Sequence, residues 1–460
     1  MKKLIYYSFY LMCALVVVYF SYVYITEPYL DYDQAGQFWI SRGLNHYSAP
    51  FSAEGNLWDV MLNNRDYNKD PGGFSFLLFL WEKGGTNYVY LRVLPFLFFV
   101  LFCLSVAKII YKATSKMFFS VVAFSLPFVL PVFTNRVAEL RAYSMELLGT
   151  SLIVYLIMCY KEKLTYRRLL LLSLSQCLFC TSRYGFIVVS FALSLRILYL
   201  LNRQYNTREF IRRSVVYSTP LFIVVVAVYL LSMRYQTGVS YYPYLYSTPL
   251  LYLISPLSLL FYVNILFLLY YRKKHMLPEL CIDTVLVVTV FFVLSSLNLY
   301  PWSIRTISVL LLLFFNSYLF LSNAIPKWAD FSAGCIMTAC SLLLLTNFTY
   351  IHKNRSAAPF IELFDFLTKQ TDGDIYVTWW HNPSLRYHFE FGFMKNMQNV
   401  EYPNRFVLEV GNKHNEEGVH KGHGKGDVNS RYSFLLLETE EMKEYPHVRG
   451  YKHIYKSMNH

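Results

Sequence analysis

The sequence predicts an all-α polytopic membrane protein of about eleven transmembrane helices, with interfacial helices in its first outward loop and a small C-terminal α/β segment. Three observations predict this. Of 460 residues, 55% are hydrophobic and 15% are charged, whereas soluble domains carry about 25% charged residues. Apolar runs of about 20 residues, long enough to cross a bilayer, recur along the chain. Basic residues lie mainly in alternate turns between those runs.

The apolar runs give the predicted transmembrane helices and hence the domain organisation. Runs 169–181 and 184–201 are short and are also compatible with one broken hairpin, which would change the helix count by one or two. A transmembrane domain is predicted over 1–348 and an extracytoplasmic domain over 349–460. The predicted spans are 4–25, 88–111, 117–133, 143–160, 169–181, 184–201, 214–233, 249–271, 279–297, 305–322 and 329–348.

The orientation is predicted from the distribution of Lys and Arg. Basic turns lie on the cytoplasmic side of a membrane, so the N-terminus is predicted to be cytoplasmic and the C-terminus extracytoplasmic, in a bacterial plasma membrane. The same turns account for the formal charge of +13, which argues against a nucleic-acid partner. The predicted cytoplasmic turns contain Lys2, Lys3, Lys112, Lys116, Lys161, Lys163, Arg167, Arg168, Arg203, Arg208, Arg212, Arg213, Arg272, Lys273, Lys274 and Lys327.

Two predicted outward segments are long enough to have structure of their own. Residues 26–87 contain QFWISRG and NLWDVML, whose mixed apolar and polar spacing is typical of helices lying in the membrane interface. In residues 349–460, IELFDFLTKQ predicts an amphipathic helix, whereas DIYVTWW and YSFLLLET predict strands.

Ionisable residues collect near the predicted outward ends of the helices, where their burial cost makes them candidates for function. Asp31 and Asp33 follow the first span, and Asp70 lies in the turn KDPGGF. The stretch RVAELRAYSME precedes the fourth span. If it is helical, Glu139, Tyr143 and Glu146 share one face; if 136–141 is a loop, Arg141 can join them. Other outward arginines are Arg183, Arg234 and Arg305.

This combination of groups supports sugar transfer from a polyprenyl-phosphate donor. An acceptor hydroxyl needs a carboxylate to take its proton, and a departing lipid phosphate needs positive charge nearby. Arginine suits the second task because its planar guanidinium binds two phosphate oxygens. A divalent cation is the alternative source of that charge, and the sequence identifies neither its ligands nor another cofactor. From the residues alone, Asp31 and Asp33 rank equally as the base.

At these positions the sequence resembles the GT-C glycosyltransferases, especially the bacterial branch related to protein mannosyltransferases and aminoarabinose transferases. The first outward loop of that family carries an acidic motif. The stretch LDYDQAG resembles it, with Asp33 at the acidic position. DPGGFSFLLFLW, Glu139-Leu-Arg141-Ala-Tyr143 and TSRYGF resemble three further motifs of the family, in the same order. The resemblance covers about residues 1–200.

The resemblance implies an inverting transferase with Asp33 as the acceptor-side base. Its expected partners are membrane lipids, a polyprenyl-phosphate sugar donor and an acceptor that is a lipid, a glycan or a protein. The catalytic candidates are Asp33 and Glu139. The candidates for substrate binding are Asp31, Asp70, Arg141, Tyr143, Arg183 and Arg305.

Each candidate also has a structural interpretation. Asp33 before a helix starting at Gln34 would cap it, Glu139 and Arg141 would form an interfacial ion pair, and outward arginines would anchor helix ends at lipid headgroups. Asp70 would simply shape its turn.

Other functions are compatible with the same architecture. A lipid-linked-sugar flippase or transporter would place charges near the membrane midplane. A surface-polysaccharide polymerase or ligase would use a large late outward loop rich in Arg and His. A non-catalytic scaffold would leave the outward carboxylates without a role.

Overall fold

The structure is a computed structural model, and it is mainly helical. Twelve α-helices and four strands are assigned in the part of the chain that it describes. The described residues are 2–26, 30, 32–44, 55–68, 70–130, 133, 139–235, 262–267, 269–270, 279–297, 307–324, 375–378, 383–384, 387–388, 391, 406–409, 434–436 and 454–457.

The helices are numbered in chain order. They are α1 Lys2–Thr26, α2 Tyr32–Ser41, α3 Leu57–Tyr67, α4 Gly73–Trp81, α5 Tyr88–Thr114, α6 Met117–Ser125, α7 Tyr143–Tyr160, α8 Tyr166–Cys180, α9 Tyr184–Gln204, α10 Thr207–Leu231, α11 Glu279–Ser296 and α12 Ile307–Ala324. Single turns of 3-10 helix follow α4, α6 and α10 at Glu82–Gly84, Leu126–Phe128 and Met233–Tyr235.

Within the described residues, five helices are long and apolar enough to span a membrane: Phe9–Thr26, Tyr88–Thr114, Tyr143–Tyr160, Tyr184–Gln204 and Thr207–Tyr235. The chain is therefore a membrane protein, as its composition predicts. Helices α11 and α12 overlap the predicted runs 279–297 and 305–322, and a shorter apolar helix, Met117–Phe128, lies within 117–133. Most of the predicted run 249–271 and all of 329–348 lie outside the described residues, so the total of eleven spans remains a prediction.

The chain divides into two compact units. Unit 1 comprises residues 1–25, 69–74 and 93–347, and unit 2 comprises 26–68, 75–92 and 348–460. The last junction, between Asn347 and Phe348, lies one residue from the predicted start of the C-terminal domain.

Unit 1 contains a bundle in which α7 is the most buried of the candidate spans, with 72% of its residues inside. Helix α8 packs on α7 and α10, α9 packs on α7 and α11, and α11 packs on α12. Polar side chains join several of these helices. Tyr217 of α10 donates a hydrogen bond to Gln176 of α8 at 2.6 Å and also contacts Ser194 of α9 at 2.7 Å. Such bonds stabilise helix pairing in lipid, where water offers no alternative partner.

In unit 2, α2 packs on α3, and a ring of hydrogen bonds fixes their side chains. Gln37 donates to Ser75 at 2.7 Å, Ser75 donates to Asn64 at 2.6 Å, and Asn68 donates to both Gln37 and Asn64. Asn56 caps α3 in a capping box with Asp59. The helices predicted for this loop as interfacial are therefore present as α2 and α3.

The C-terminal part of unit 2 contacts the first loop through aromatic and imidazole groups. Trp39 donates a hydrogen bond to the Pro383 carbonyl at 2.9 Å, and Tyr387 donates to the Thr86 carbonyl at 3.0 Å. The Nε2 atom of His388 accepts a hydrogen bond from the Leu30 amide at 3.2 Å. Burial lowers the pKa of His388 to about 3, so the ring is neutral and can accept that bond.

The described strands of unit 2 form one sheet. They are β1 Ile375–Thr378, β2 Phe406–Glu409, β3 Phe434–Leu436 and β4 Ile454–Ser457, in the spatial order β2-β1-β4-β3. The pairing of β1 with β2 is parallel, whereas the other two pairings are antiparallel. Strands β1 and β3 lie within DIYVTWW and YSFLLLET. The helix predicted at IELFDFLTKQ lies outside the described residues, so the α/β character of the segment remains a prediction.

Candidate functional site

A close backbone contact brings two distant turns of unit 1 together. The amide of Gly73 donates a hydrogen bond to the Thr181 carbonyl at 2.8 Å. A Cβ atom on Gly73 would lie 2.1 Å from Thr181 Oγ1 and 2.8 Å from its carbonyl oxygen, so a larger residue does not fit without separating the turns. The preceding Gly72 has a φ of 103°, a backbone conformation that favours glycine. The sequence DPGG thereby places Asp70 beside the turn that carries Arg183.

Arg183 binds carboxylates from both sides of this contact. Its Nε atom lies 3.2 Å from Asp70 Oδ1, and its Nη1 atom donates to Glu146 Oε2 at 2.9 Å. The side chain of Arg183 is 16% exposed, that of Asp70 is 7% exposed and that of Glu146 is 1% exposed. A guanidinium held by separate carboxylates at Nε and Nη1 has a fixed orientation.

Arg141 and Tyr143 complete this group. Arg141 Nη2 lies 3.9 Å from Asp70 Oδ2. The guanidinium carbon of Arg183 lies 4.2 Å from the centre of the Tyr143 ring, and that of Arg141 lies 5.7 Å from it. Both distances are within the range of cation–π attraction. We call Asp70, Arg141, Tyr143, Glu146 and Arg183 the Arg183 cluster.

The Arg183 cluster lies at the N-terminal ends of helices. Tyr143 begins α7, Arg183 precedes α9, and Ser308 at the start of α12 donates to Glu146 Oε1 at 2.7 Å. Thr150 in turn donates to Ser308 at 2.9 Å. Because helix N-termini carry partial positive charge, they add to the field of the guanidinium groups. The arrangement therefore combines positive charge with carboxylates that hold it in place.

Glu139 precedes α7 and is not part of it. The helix begins at Tyr143, so the predicted shared face of Glu139, Tyr143 and Glu146 is wrong for Glu139, whereas Tyr143 and Glu146 do lie one turn apart. Residues 139–142 form a bend in which the Arg141 amide donates to the Glu139 carbonyl at 2.7 Å. As the loop alternative predicts, Arg141 joins the cluster. The Glu139 residue is buried, at 6% exposure.

Asp33 belongs to unit 2, where it is exposed in the first turn of α2. Because α2 begins at Tyr32 and not at Gln34, the expectation that Asp33 precedes and caps the helix is wrong. A carboxylate in the first turn still stabilises a helix through its dipole. The other predicted candidates, Asp31 and Arg305, lie outside the described residues. Arg234 is exposed beside Tyr235 in the turn after α10.

Two residues of this site are not among the site residues that the sequence predicts. Glu146, which the sequence puts on the same helix face as Tyr143, is a member of the cluster, and Ser308 donates to it. The sequence contains a signal for Glu146, since a carboxylate one turn into an apolar helix is costly unless it is paired. Ser308 lies 162 residues from Glu146 in the chain, and no local pattern connects them.

A second charged group is buried between α9 and α11, and we call it the Arg196 cluster: Lys161, Arg196, Glu279 and Asp283. Arg196 pairs with Glu279, and its Nε atom lies 3.5 Å from Asp283 Oδ1. Lys161 Nζ lies 3.2 Å from Glu279 Oε1. Glu279 and Asp283 are one turn apart on α11. Of this group, the sequence predicts only that Lys161 lies in a cytoplasmic turn.

In the described part of the chain, no three His, Cys, Asp or Glu side chains come together as ligands for a metal ion. No family model matches the sequence, and no curated protein matches it. What can be proposed about function therefore rests on the residues and their geometry.

Proposed function

We propose that this protein is a membrane glycosyltransferase that moves a sugar from a polyprenyl-phosphate donor to an acceptor on the extracytoplasmic side. The observation that supports this most is the Arg183 cluster, where Arg141 and Arg183 approach Asp70 at the N-terminal ends of membrane helices. The guanidinium groups at this position are matched in number by the carboxylates of Asp70 and Glu146. They offer oriented donors to a lipid phosphate, whose headgroup must remain at the membrane boundary while its isoprenoid chain stays in the bilayer.

In this proposal the arginines stabilise the leaving group. As the glycosidic bond breaks, negative charge grows on the lipid phosphate, and guanidinium groups that are already oriented stabilise that charge without having to reorganise. Asp70 and Glu146 act as positioning residues, because each binds Arg183 through a different nitrogen atom. Tyr143 supports both guanidinium groups through its ring.

The acceptor hydroxyl needs a base, and Asp33 is the proposed one. Two facts support this role: the resemblance of LDYDQAG to the acidic motif of the GT-C glycosyltransferases, and the exposure of Asp33 in α2. Glu139 is the weaker catalytic candidate because it is buried in the bend before α7. Asp31 and Arg305 remain proposed substrate ligands from the sequence alone. A divalent cation remains an alternative charge for the phosphate.

The proposed location is a bacterial plasma membrane with the N-terminus in the cytoplasm. The support is the distribution of basic residues: Arg203 and Lys161 lie at the C-terminal ends of α9 and α7, the ends opposite to the Arg183 cluster. Under the positive-inside rule those ends face the cytoplasm, which puts the Arg183 cluster at the other face.

The test is donor consumption by purified protein. Radiolabelled polyprenyl-phosphate sugars are incubated with wild type, Asp33→Asn, Arg183→Ala and the control Arg234→Ala. We expect wild type and the control to consume a donor, by transfer or hydrolysis, and the first two variants to lose at least about 100-fold of that activity. Consumption by none of the proteins across a donor panel, or equal consumption by all four, would contradict the proposal.

A lipid-linked-sugar transporter or flippase is the second candidate. The specific observation in its favour is the contact of Arg196 with Asp283, because ionisable groups in the interior of apolar helices are typical of transporters. The other two members of the cluster, Lys161 and Glu279, lie at helix ends. The two functions are separated in sealed vesicles that carry a labelled donor on one side. A transporter moves the intact donor across the bilayer, whereas a glycosyltransferase consumes it.

A further inference from the structure

Asp283 is the most deeply buried member of the Arg196 cluster, and its surroundings do not suit a carboxylate ion. The residue is 0% exposed, and among all residues that the structure describes no group donates a hydrogen bond to Oδ1 or Oδ2. An ionised carboxylate has about four acceptor sites and normally fills several of them when it is buried.

The charge of Arg196 is matched by Glu279. Lys161, whose side chain is 33% exposed, lies between Glu279 and the exposed Glu162. Arg196 and Glu279 are in direct contact through Nη2 and Oε2, whereas Asp283 receives only the Nε edge of the guanidinium at 3.5 Å. Glu279 is also the more exposed of the two carboxylates that face Arg196, with 21% of its side chain accessible. A charged carboxylate is therefore favoured at Glu279 over Asp283, since desolvation penalises the charged form most where burial is complete.

We propose that Asp283 is a buried proton-binding site, whose carboxyl group holds a proton while Arg196 is paired with Glu279. The ligand of this site is a proton. The groups that face it from the surrounding helices are Arg196 on α9, Glu279 on the same helix α11, and Lys161 after α7, which reaches it through Glu279.

The spacing of the two carboxylates gives this proton an exchange route. If the guanidinium moves from Glu279 to Asp283, the O–H bond at Asp283 breaks and an O–H bond forms at Glu279. The summed charge of Arg196, Glu279 and Asp283 is zero before and after, so the exchange buries no additional net charge. Glu279 is partly exposed at the start of α11, so in this proposal the proton enters and leaves the buried site through it.

The experiment compares Asp283→Asn with Glu279→Gln in detergent-solubilised protein. Both replacements are nearly isosteric and remove one carboxyl group that faces Arg196. If Asp283 is protonated, Asp283→Asn replaces one neutral group with another, and we expect the melting temperature to change by less than about 2 °C. Glu279→Gln is expected to melt at a lower temperature than Asp283→Asn. The double variant is expected to melt at least about 5 °C below wild type, because Arg196 is left without a carboxylate.

Infrared spectroscopy provides the second measurement. A protonated carboxyl group has a carbonyl band separate from those of carboxylates and amides. We expect such a band in wild type near neutral pH, its loss in Asp283→Asn, and its retention in Glu162→Gln, which changes an exposed acid near the same helix ends. An Asp283→Asn variant as unstable as Glu279→Gln, or wild-type protein without the band, would overturn the proposal.

Discussion

The Arg183 cluster lies at the start of helix α9 and the Arg196 cluster lies along it, and the two illustrate different uses of a buried arginine. Arg196 follows Arg183 by 13 positions, about 20 Å along the helix axis. Arg183 lies before the first turn, is stacked on Tyr143 and binds Asp70 and Glu146, with Arg141 beside it. Arg196 lies inside the helix and faces carboxylates from α11. The first group combines two guanidinium groups, the N-terminal ends of α7 and α9 and a glycine-rich turn. The second has one guanidinium group and no glycine-rich turn, and its Glu279 begins α11.

The Arg183 cluster is therefore suited to binding a ligand, and the Arg196 cluster to holding two helices together. An arginine at a helix end can approach a ligand without breaking helix packing, and several elements fix its position. Arg196, in the interior of α9, stabilises the pairing of α9 with α11, and its loss leaves Glu279 without its guanidinium partner. The comparison predicts that substitutions at Arg183 change activity more than stability, and that substitutions at Arg196 do the opposite.

The largest effect on stability is expected for Arg196→Gln. Removing the guanidinium leaves Glu279 without its main partner, and breaking a buried pair in this way costs about 3–5 kcal/mol. Thermal unfolding in detergent measures the loss, with Arg203→Gln on the exposed end of α9 as the control. A variant as stable as that control would show that the Arg196 cluster contributes little to packing.

A large effect on activity with a small effect on stability is expected for Arg183→Lys. The ammonium group keeps the charge but cannot bind Asp70 and Glu146 in the fixed geometry of a guanidinium. Donor turnover should fall about 10-fold to 100-fold, by roughly 1.4–2.8 kcal/mol of transition-state stabilisation. Arg234→Lys, at an exposed arginine, should keep full turnover. Equal turnover in Arg183→Lys and wild type would remove Arg183 from the proposed mechanism.

An intermediate effect on both properties is expected for Gly73→Ala. The added methyl group overlaps Thr181, so the turns that carry Asp70 and Arg183 must separate, at a cost of about 1–3 kcal/mol. Turnover and thermal stability should fall together. Adding Thr181→Gly removes the nearest clashing atoms and should restore part of both. The prediction fails if Gly73→Ala behaves like wild type.

The smallest effect on turnover is expected for Ser308→Ala. It removes the hydroxyl that donates to Glu146 Oε1 at 2.7 Å, a hydrogen bond to a charged group that contributes about 1.5–3 kcal/mol. Arg183 retains Glu146 Oε2, so turnover should fall only a few-fold. Comparison with Ser295→Ala, at a buried serine of α11 outside the cluster, shows whether the loss of activity is specific.

The five described helices that are long and apolar enough to span a membrane overlap predicted runs, because hydrophobic length is a local property. Helix α7 begins at the predicted residue, Tyr143, and the structure brings together Asp70, Arg141, Tyr143 and Arg183, which the sequence predicts from separate segments. What could not be predicted depends on contacts between distant segments. The pairing of Glu146 with Ser308 depends on how α7 meets α12, and the Arg196 cluster depends on how α9 meets α11. An arginine within an apolar helix was a visible signal for the latter, because it needs a partner there.

Binding of polyprenyl phosphate without a sugar tests the central claim most directly. Its affinity for purified wild type, Arg183→Lys, Arg141→Gln and Arg234→Lys can be measured in detergent at matched protein stability. The account predicts that Arg183→Lys and Arg141→Gln each bind about 10-fold more weakly than wild type, a change of about 1.4 kcal/mol, while Arg234→Lys binds as wild type does. Equal affinities in all four proteins would contradict the assignment of the Arg183 cluster to the lipid phosphate.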